Sequence, residues 1–161
     1  ESNGVYKSTT GQMDWNTIDG ILVLNSTRTQ GVIGFVGGKV LETDAITFQM
    51  KTEFSVIVAS SLTDKTLAAS DRILVSTSGD ARFTDIKMAD DFSIIEATGK
   101  FPFLMQPIEG TVTIKSNSKI KVYGLNAGGN RVATIDVEHV RGGFSFELKA
   151  ENNAVHYEIV K

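Results

Sequence analysis

Two short runs of β-branched residues near the middle of the chain constrain its fold more than any other feature. They are residues 56–59 (VIVA) and 73–75 (ILV), and a polar segment that includes Asp64 and Asp71 joins them. Apolar runs without polar alternation, bounded by turn residues, are typical of strands covered on both faces. Residues 54–77 therefore predict two neighbouring strands in the middle of a two-layer β domain.

The flanking segments show the alternation of half-buried strands. In residues 45–51, Ile46, Phe48 and Met50 alternate with polar neighbours, and residues 111–115 and 144–149 repeat the pattern. Because successive side chains of a strand point to opposite faces, each segment has one apolar face for a core. Residues 132–140 are predicted to form one strand that returns from a hairpin at residues 126–130.

Turn signals separate these segments every eight to twelve residues, and no amphipathic helix pattern is present. Asp19-Gly20 predicts a turn, Gly37-Gly38 predicts a hairpin, and glycines inside the apolar run of residues 31–38 indicate bulges or close backbone approach. Short strands at this spacing predict an all-β fold, an antiparallel two-sheet β-sandwich that is jelly-roll-like. Residues 1–161 are expected to form this single module.

Composition excludes several classes of function. The net charge of −3 leaves no basic excess for neutralising phosphates, so we expect no nucleic-acid partner. No apolar run approaches the roughly 20 residues that a membrane helix needs, so we expect no membrane partner. The absence of cysteine excludes disulfides and thiolate metal sites. The chain starts at Glu1 without a signal region, and we expect native chain upstream of it.

No pattern in the sequence indicates catalysis. His139 and His156 fall on predicted strands, where histidines usually serve as surface or hydrogen-bonded residues, and no serine lies in a nucleophile-elbow pattern. The glutamates are scattered among strands, whereas glycosidases need two carboxylates about 5 to 10 Å apart. We expect no catalytic residue in this chain.

Several segments resemble an accessory domain found at the C-terminal side of bacterial polysaccharide-degrading glycoside hydrolases. The segments that carry the resemblance are TGQMDW (10–15), TRTQGVIGF (27–35), residues 55–82, GKFPFLMQPIEGTVTI (99–114), VYGLNAGGNR (122–131) and VHYEI (155–159). The resemblance implies a β-sandwich module, described as carbohydrate-binding-like, attached to a catalytic domain of the same chain. It also implies a secreted or cell-surface bacterial protein and a plant-type polysaccharide (β-glucan, mannan or xylan) as its partner.

Aromatic side chains are the first candidates for carbohydrate contact, because rings stack on the apolar C–H faces of sugars. Trp15, in a segment predicted to be a polar loop, and Tyr123, which shares a strand face with two lysines, are the main candidates. Tyr6 is a third, and Tyr157 is expected in the core because it alternates with aliphatic residues. Arg28 and Gln30 of the polar segment 26–31 are candidate polar contacts.

Two alternatives remain open at this point. Aromatics are only 8% of the chain and the resemblance falls on framework residues, which favours a structural accessory domain that packs on the catalytic domain without binding sugar. Loop carboxylates can also hold a structural Ca²⁺ in sandwich modules, with Asp64 and Asp71 as weak candidates. Their spacing matches no fixed calcium loop, and turns are the commoner place for aspartate.

Overall fold

The computed structural model describes residues 3–161, and strands account for nearly all of its regular structure. One 3₁₀ turn, Ala150–Asn152, is the sole helical element of the described residues. The strands are β1 (Val5–Lys7), β2 (Met13–Asn16), β3 (Ile21–Asn25), β4 (Thr29–Phe35), β5 (Val40–Glu42), β6 (Ile46–Met50), β7 (Phe54–Ser61), β8 (Arg72–Ser78), β9 (Ala81–Thr84), β10 (Lys87–Met88), β11 (Ile95–Ala97), β12 (Lys100–Met105), β13 (Gly110–Lys115), β14 (Lys121–Leu125), β15 (Arg131–Ile135), β16 (Val137–Val140), β17 (Gly143–Leu148) and β18 (His156–Val160).

Two antiparallel sheets make up the body of the protein. The large sheet has nine strands in the order β1-β2-β3-β4-β7-β8-β18-β14-β15, and the small sheet has five in the order β16-β17-β13-β6-β5. The remaining four strands form two separate two-stranded ribbons, β9 with β12 and β10 with β11. The prediction of an all-β, antiparallel, two-sheet fold is confirmed. The finer description as a jelly roll is not established by this strand order and stays a prediction.

One hydrophobic core lies between the two sheets. Ile57, Ile73 and Ile159 enter it from the large sheet, and Phe48 and Val112 from the small sheet, all of them fully buried. Each comes from a strand whose side chains alternate between the core and the opposite face, as the period of two requires. Among residues 3–161, no helix has the length and apolar character needed to cross a membrane.

The central strands β7 and β8 are neighbours in the middle of the large sheet, as predicted, but only one of their faces is buried. Ile57 and Ala59 of β7 face the core, whereas Val56 and Val58 point the other way and remain partly exposed. The prediction of strands covered on both faces is therefore wrong. The run lacks polar alternation because the outward-facing side chains at this point of β7, Val56 and Val58, are themselves apolar.

Two predicted connections differ from the structure because the chain changes sheets there. Gly37-Gly38 does not close a hairpin: β4 belongs to the large sheet and β5 to the small one, and Gly37 and Gly38 donate their N–H groups to Glu53 and Met50 carbonyls. The predicted return strand 132–140 is divided at Asp136, so that β15 edges the large sheet and β16 the small sheet. A period of two does not reveal which sheet a strand joins.

Gly34 confirms the prediction of close backbone approach in the glycine-containing strand β4. It has φ of +122°, and a Cβ atom there would lie 1.9 Å from the carbonyl oxygen of Gly20 in the turn before β3. Only glycine fits so near a neighbouring backbone. This contact sets β4 tightly against the turn that leads from β2 into β3.

Candidate functional site

The strongest candidate site is an exposed group of rings at the β1 edge of the large sheet. Antiparallel register places Tyr6 of β1 opposite Trp15 of β2, and Trp15 opposite Leu22 of β3. Because cross-strand partners share a face, these side chains form a row on the outer face of the sheet. We call Tyr6, Met13, Trp15 and Leu22, with Lys7 and Ser8 at their border, the ring patch.

Two local turns hold these strands in register. In the β1–β2 hairpin, the Ser8 hydroxyl accepts hydrogen bonds from the backbone N–H groups of Gln12 and Met13, both at 3.1 Å. In the β2–β3 turn, the Asn16 side-chain oxygen accepts from the backbone N–H groups of Ile18 and Asp19, also at 3.1 Å. Serine and asparagine are suited to this because their short polar side chains reach nearby backbone donors.

The rings of the patch are open to solvent and adjoin a shallow groove. Trp15 is 53% exposed and Tyr6 is 51% exposed, and their ring centroids lie 6.1 Å apart with the planes tilted by 43°. The groove has a volume of 350 Å³, and the six residues of the ring patch line it. Apolar groups dominate the lining. Lys7 and Ser8 are its polar residues, but the Lys7 amine lies 3.5 Å from the Asp14 carboxylate, and the Ser8 hydroxyl is engaged within the hairpin.

Trp15 lies on strand β2, so its predicted placement in a polar loop is wrong. The alternation of Met13 and Trp15 with Asp14 and Asn16 is a strand pattern of period two that the surrounding polar residues obscured. That same alternation would have identified Met13 as a member of the patch. Leu22 could not be found without knowing which residue of β3 lies opposite Trp15.

Tyr123 lies on the same outer face but toward the opposite edge of the large sheet. The Arg131 guanidinium carbon lies 3.8 Å from the centre of its ring, so one face of the ring is occupied within the protein. Arg131 is held in turn by the buried carboxylate of Glu158, to which its Nε donates at 2.8 Å. The structure therefore separates Tyr123 from Trp15 and Tyr6, which it brings together.

Glu158 is the centre of a charged cluster on this face. Its side chain is 4% exposed and accepts hydrogen bonds from both Arg72 and Arg131. Burial acts to raise the pKa of Glu158, but the hydrogen bonds and charges of the two arginines outweigh burial and lower the pKa below its ordinary value. The carboxylate has its oxygens engaged, which indicates a structural role for this cluster.

Gln30 is not available to a ligand, and this candidate is corrected. It is 2% exposed, and its side-chain oxygen accepts hydrogen bonds from the Thr43 hydroxyl at 2.8 Å and the Ala45 backbone N–H at 2.9 Å. Its amide nitrogen donates to the Ser26 carbonyl at 3.2 Å. Gln30 is on strand β4 and faces inward, where it ties the large sheet to the loop that precedes β6.

Arg28 and the two candidate metal ligands lie in neighbouring loops away from the ring patch. Arg28 donates to the Thr63 carbonyl at 2.6 Å and lies 4.0 Å from Asp64, while Asp71 pairs with Lys65. The hydrogen bond and charge of Lys65 lower the pKa of Asp71. Among residues 3–161, no three His, Cys, Asp or Glu side chains are placed to hold a metal ion. Each aspartate has a cation beside it instead.

The histidines and Tyr157 occupy framework positions. The His139 ring packs on Phe144 with centroids 5.1 Å apart, and His156 is half-buried on β18. Tyr157 is 2% exposed, as expected for a core residue, and its hydroxyl accepts a hydrogen bond from Asn152 at 3.2 Å. Burial raises the pKa of Tyr157.

The sequence patterns did not predict a second exposed apolar region. It comprises the two ribbons of residues 81–105, where every residue is exposed or only partly buried. Residues 101–105 (FPFLM) form most of β12, an edge strand of the ribbon β9–β12. The missed signal is the density of phenylalanine and isoleucine in residues 83–103, where they are interspersed with Asp85, Asp90 and Asp91.

No protein-family model, no curated protein and no solved structure matches the chain. The resemblance to accessory modules of glycoside hydrolases therefore stays a prediction. The ring patch and the exposed ribbons are the surfaces from which function can be argued.

Proposed function

We propose that the protein is a non-catalytic carbohydrate-binding module that contacts a plant-type polysaccharide through the ring patch. The observation that carries the proposal is the pairing of Trp15 and Tyr6, two half-exposed rings on adjacent strands of a rigid sheet. Rings held in this way present apolar faces to the C–H faces of sugar residues, and rigid elements position a binding site better than loops do.

The geometry of the rings favours a single polysaccharide chain over a flat crystalline surface. Because the two planes are tilted by 43°, they cannot both lie flat on one plane, and they suit a chain that turns between successive sugars. At the border of the groove, the exposed Lys7 side chain pairs with Asp14 at 3.5 Å, and its amine can exchange this partner for a sugar hydroxyl. A secreted or cell-surface bacterial protein attached to a glycoside hydrolase is the proposed setting.

Affinity electrophoresis against soluble β-glucan, mannan and xylan tests this function. The wild-type protein is expected to be retarded by at least one of them, and Trp15→Ala is expected to weaken binding about tenfold, or ~1.4 kcal/mol. Phe35→Ala is the matched control, because Phe35 is also 53% exposed but lies outside the ring patch. Absence of retardation of the wild-type protein by all three polysaccharides would contradict the proposal.

A second candidate function is a structural accessory domain that packs on the catalytic domain of the same polypeptide. The chain exposes 9715 Å² of surface, whereas a compact monomer of 17.4 kDa is expected to expose about 7,900 Å². The excess of about 1,800 Å² exceeds the roughly 800 Å² that each partner buries in a standard protein interface. Deleting the module is expected to lower the melting temperature of the parent enzyme, and an unchanged melting temperature would exclude this function.

A further inference from the structure

Many of the exposed large apolar side chains lie in one segment, which we call the arm and define as residues 81–105. The arm is inserted between β8 of the large sheet and β13 of the small sheet. It consists of the ribbons β9–β12 and β10–β11, neither of which pairs with a sheet. Two-stranded ribbons are marginally stable in water unless another element covers them. Within the described part of the chain, none of the arm's residues is buried.

Large apolar side chains cover the arm. The ring of Phe83 packs edge to face against the rings of Phe101 and Phe103, with centroid distances of 5.4 Å and 5.3 Å. The three rings form one cluster on the ribbon β9–β12. The large side chains of the arm that are substantially exposed are Phe83, Phe92, Ile94, Ile95, Phe101, Phe103, Leu104 and Met105. Soluble monomers rarely expose so many apolar side chains in one place, and such patches mark interaction sites.

The acidic groups of the arm are unevenly distributed. Asp80, directly before the arm, pairs with Arg82 at 2.6 Å, and Asp85, at the far end of the ribbon β9–β12, pairs with Lys100 at 2.7 Å. Around Phe92 and the isoleucines, Asp90, Asp91 and Glu96 make no ion pair with any residue of 3–161. The cations near them are Lys87 of β10 and Arg82, whose guanidinium carbon lies 5.4 Å from the centre of the Phe92 ring. The border is therefore acidic on balance, and an apolar surface of this kind fits a partner that is apolar with a basic border.

We propose that the arm docks on the catalytic domain of the same polypeptide, which presents an apolar cleft bordered by lysine or arginine side chains. This inference rests on the second candidate function and adds the surface that carries it. The arm exposes four phenylalanine rings, but Ile94, Ile95 and Leu104 are interspersed with them and offer no stacking face, which favours a protein surface over sugar. The aliphatic side chains and the phenylalanines resemble instead the anchors that fill apolar pockets at protein interfaces.

Pairing of two arms from separate copies is disfavoured by the same residues. Facing arms would bring the acidic borders of two chains together, and each chain already carries a net charge of −3. The free edge of β12 contains Pro102, which has no N–H group to donate to an added strand. These features favour another protein domain, and not the arm of a second copy, as the partner of the arm.

Hydrogen exchange of the arm's backbone amides, compared between the 161-residue protein and the parent enzyme, tests the proposal. Amides of residues 81–105 are expected to exchange at least tenfold more slowly in the parent enzyme, since docking would cover both ribbons. Equal exchange in the two proteins would overturn the proposal, as would a parent polypeptide that lacks a catalytic domain. Protection that rises with the concentration of the 161-residue protein would indicate a second copy and also overturn it.

Substitutions separate docking from sugar binding. Phe101→Ser, at a residue 80% exposed, is expected to lower the melting temperature of the parent enzyme while leaving retardation by polysaccharides unchanged. Val40→Ser, at an apolar residue 57% exposed on β5, is the control and is expected to change neither property. If Phe101→Ser behaved like Val40→Ser in the parent enzyme, docking by the arm would be contradicted while the ring-patch function stood. Loss of retardation in Trp15→Ala alone leaves the docking proposal unaffected.

Discussion

The ring patch and the arm are both exposed and apolar, yet they differ in support and in chemistry. The rings of Trp15 and Tyr6 stand on strands that continue into a nine-stranded sheet. The rings of Phe83 and Phe101 stand on a ribbon that pairs with nothing else in residues 3–161. A surface on a supported sheet is ready to bind a ligand as it stands, whereas an unsupported ribbon needs a partner to be covered.

The amino-acid composition of the two regions also favours a different partner for each. The patch combines an indole and a phenol ring with the polar residues Lys7 and Ser8 at its border, which suits a hydroxylated ligand with apolar faces. The arm combines phenylalanine with isoleucine and leucine and carries carboxylates at its border, which suits a protein surface. We therefore propose different kinds of contact for the two surfaces.

The largest expected effect concerns stability and would show that the arm is outside the core. Phe48→Ala, at a fully buried residue of the small sheet, is expected to lower the free energy of unfolding by about 3–5 kcal/mol. Phe101→Ala in the arm is expected to lower it by less than about 1 kcal/mol, because the side chain is already in water. Urea unfolding of both variants measures this. A similar loss of unfolding free energy in the two variants would mean that the Phe101 side chain is buried in solution.

The next largest effect concerns the charged cluster of Glu158, Arg72 and Arg131, which lies beside Tyr123. Glu158→Gln is expected to destabilise the protein by about 1–3 kcal/mol at pH 7, because the two arginines lose a buried carboxylate partner. A carboxyl group whose pKa is lowered by folding contributes stability above its unfolded pKa, and the contribution is lost as the pH falls through the lowered value.

Thermal unfolding between pH 7 and pH 2 checks the prediction for Glu158. The wild-type protein is expected to lose the advantage over Glu158→Gln below the ordinary glutamate pKa of 4.5. Retardation by polysaccharides is expected to be the same for both proteins at pH 7. A loss of polysaccharide binding in Glu158→Gln would place the Tyr123 end of the sheet within the binding site and break the distinction between the two ends.

The smallest effect concerns the polar border of the ring patch. Lys7→Ala is expected to weaken polysaccharide binding about twofold at most, because the exposed Lys7 amine already has the Asp14 carboxylate as a partner at 3.5 Å. Isothermal titration with the polysaccharide that retards the wild-type protein measures it, with Lys39→Ala as the control outside the patch. A loss as large as that expected for Trp15→Ala would mean that charge, and not ring stacking, dominates recognition.

Much of the fold could be predicted from the sequence because period-two alternation is a local property. Phe48 and Phe146 face the core as the pattern predicts, and both central strands are where residues 54–77 placed them. The points at which the chain changes sheets, at Gly37 and Asp136, depend on long-range pairing and leave no comparable local signal. The sequence likewise does not show whether a second layer covers the outer face of β7. In the structure, Val56 and Val58 on that face remain partly exposed.

The candidate site could be predicted only in part. Trp15 and Tyr6 were identifiable as rings, but their meeting depends on the β1–β2 register that the Ser8 turn sets. Gln30 was expected at the surface because it lies in a polar segment, yet strand β4 turns its side chain inward. The burial of a polar side chain follows from the partners available in three dimensions, here Thr43 and Ala45.

The fluorescence of Trp15 provides the most direct test that the ring patch binds carbohydrate, because this residue is the only tryptophan of the chain. Titration with soluble β-glucan, mannan and xylan is expected to give a saturable blue shift or quenching with at least one polysaccharide, as the half-exposed indole ring is covered. Tyr6→Ala is expected to shift the titration to higher polysaccharide concentration. Emission that stays unchanged with all three polysaccharides would contradict the proposed site.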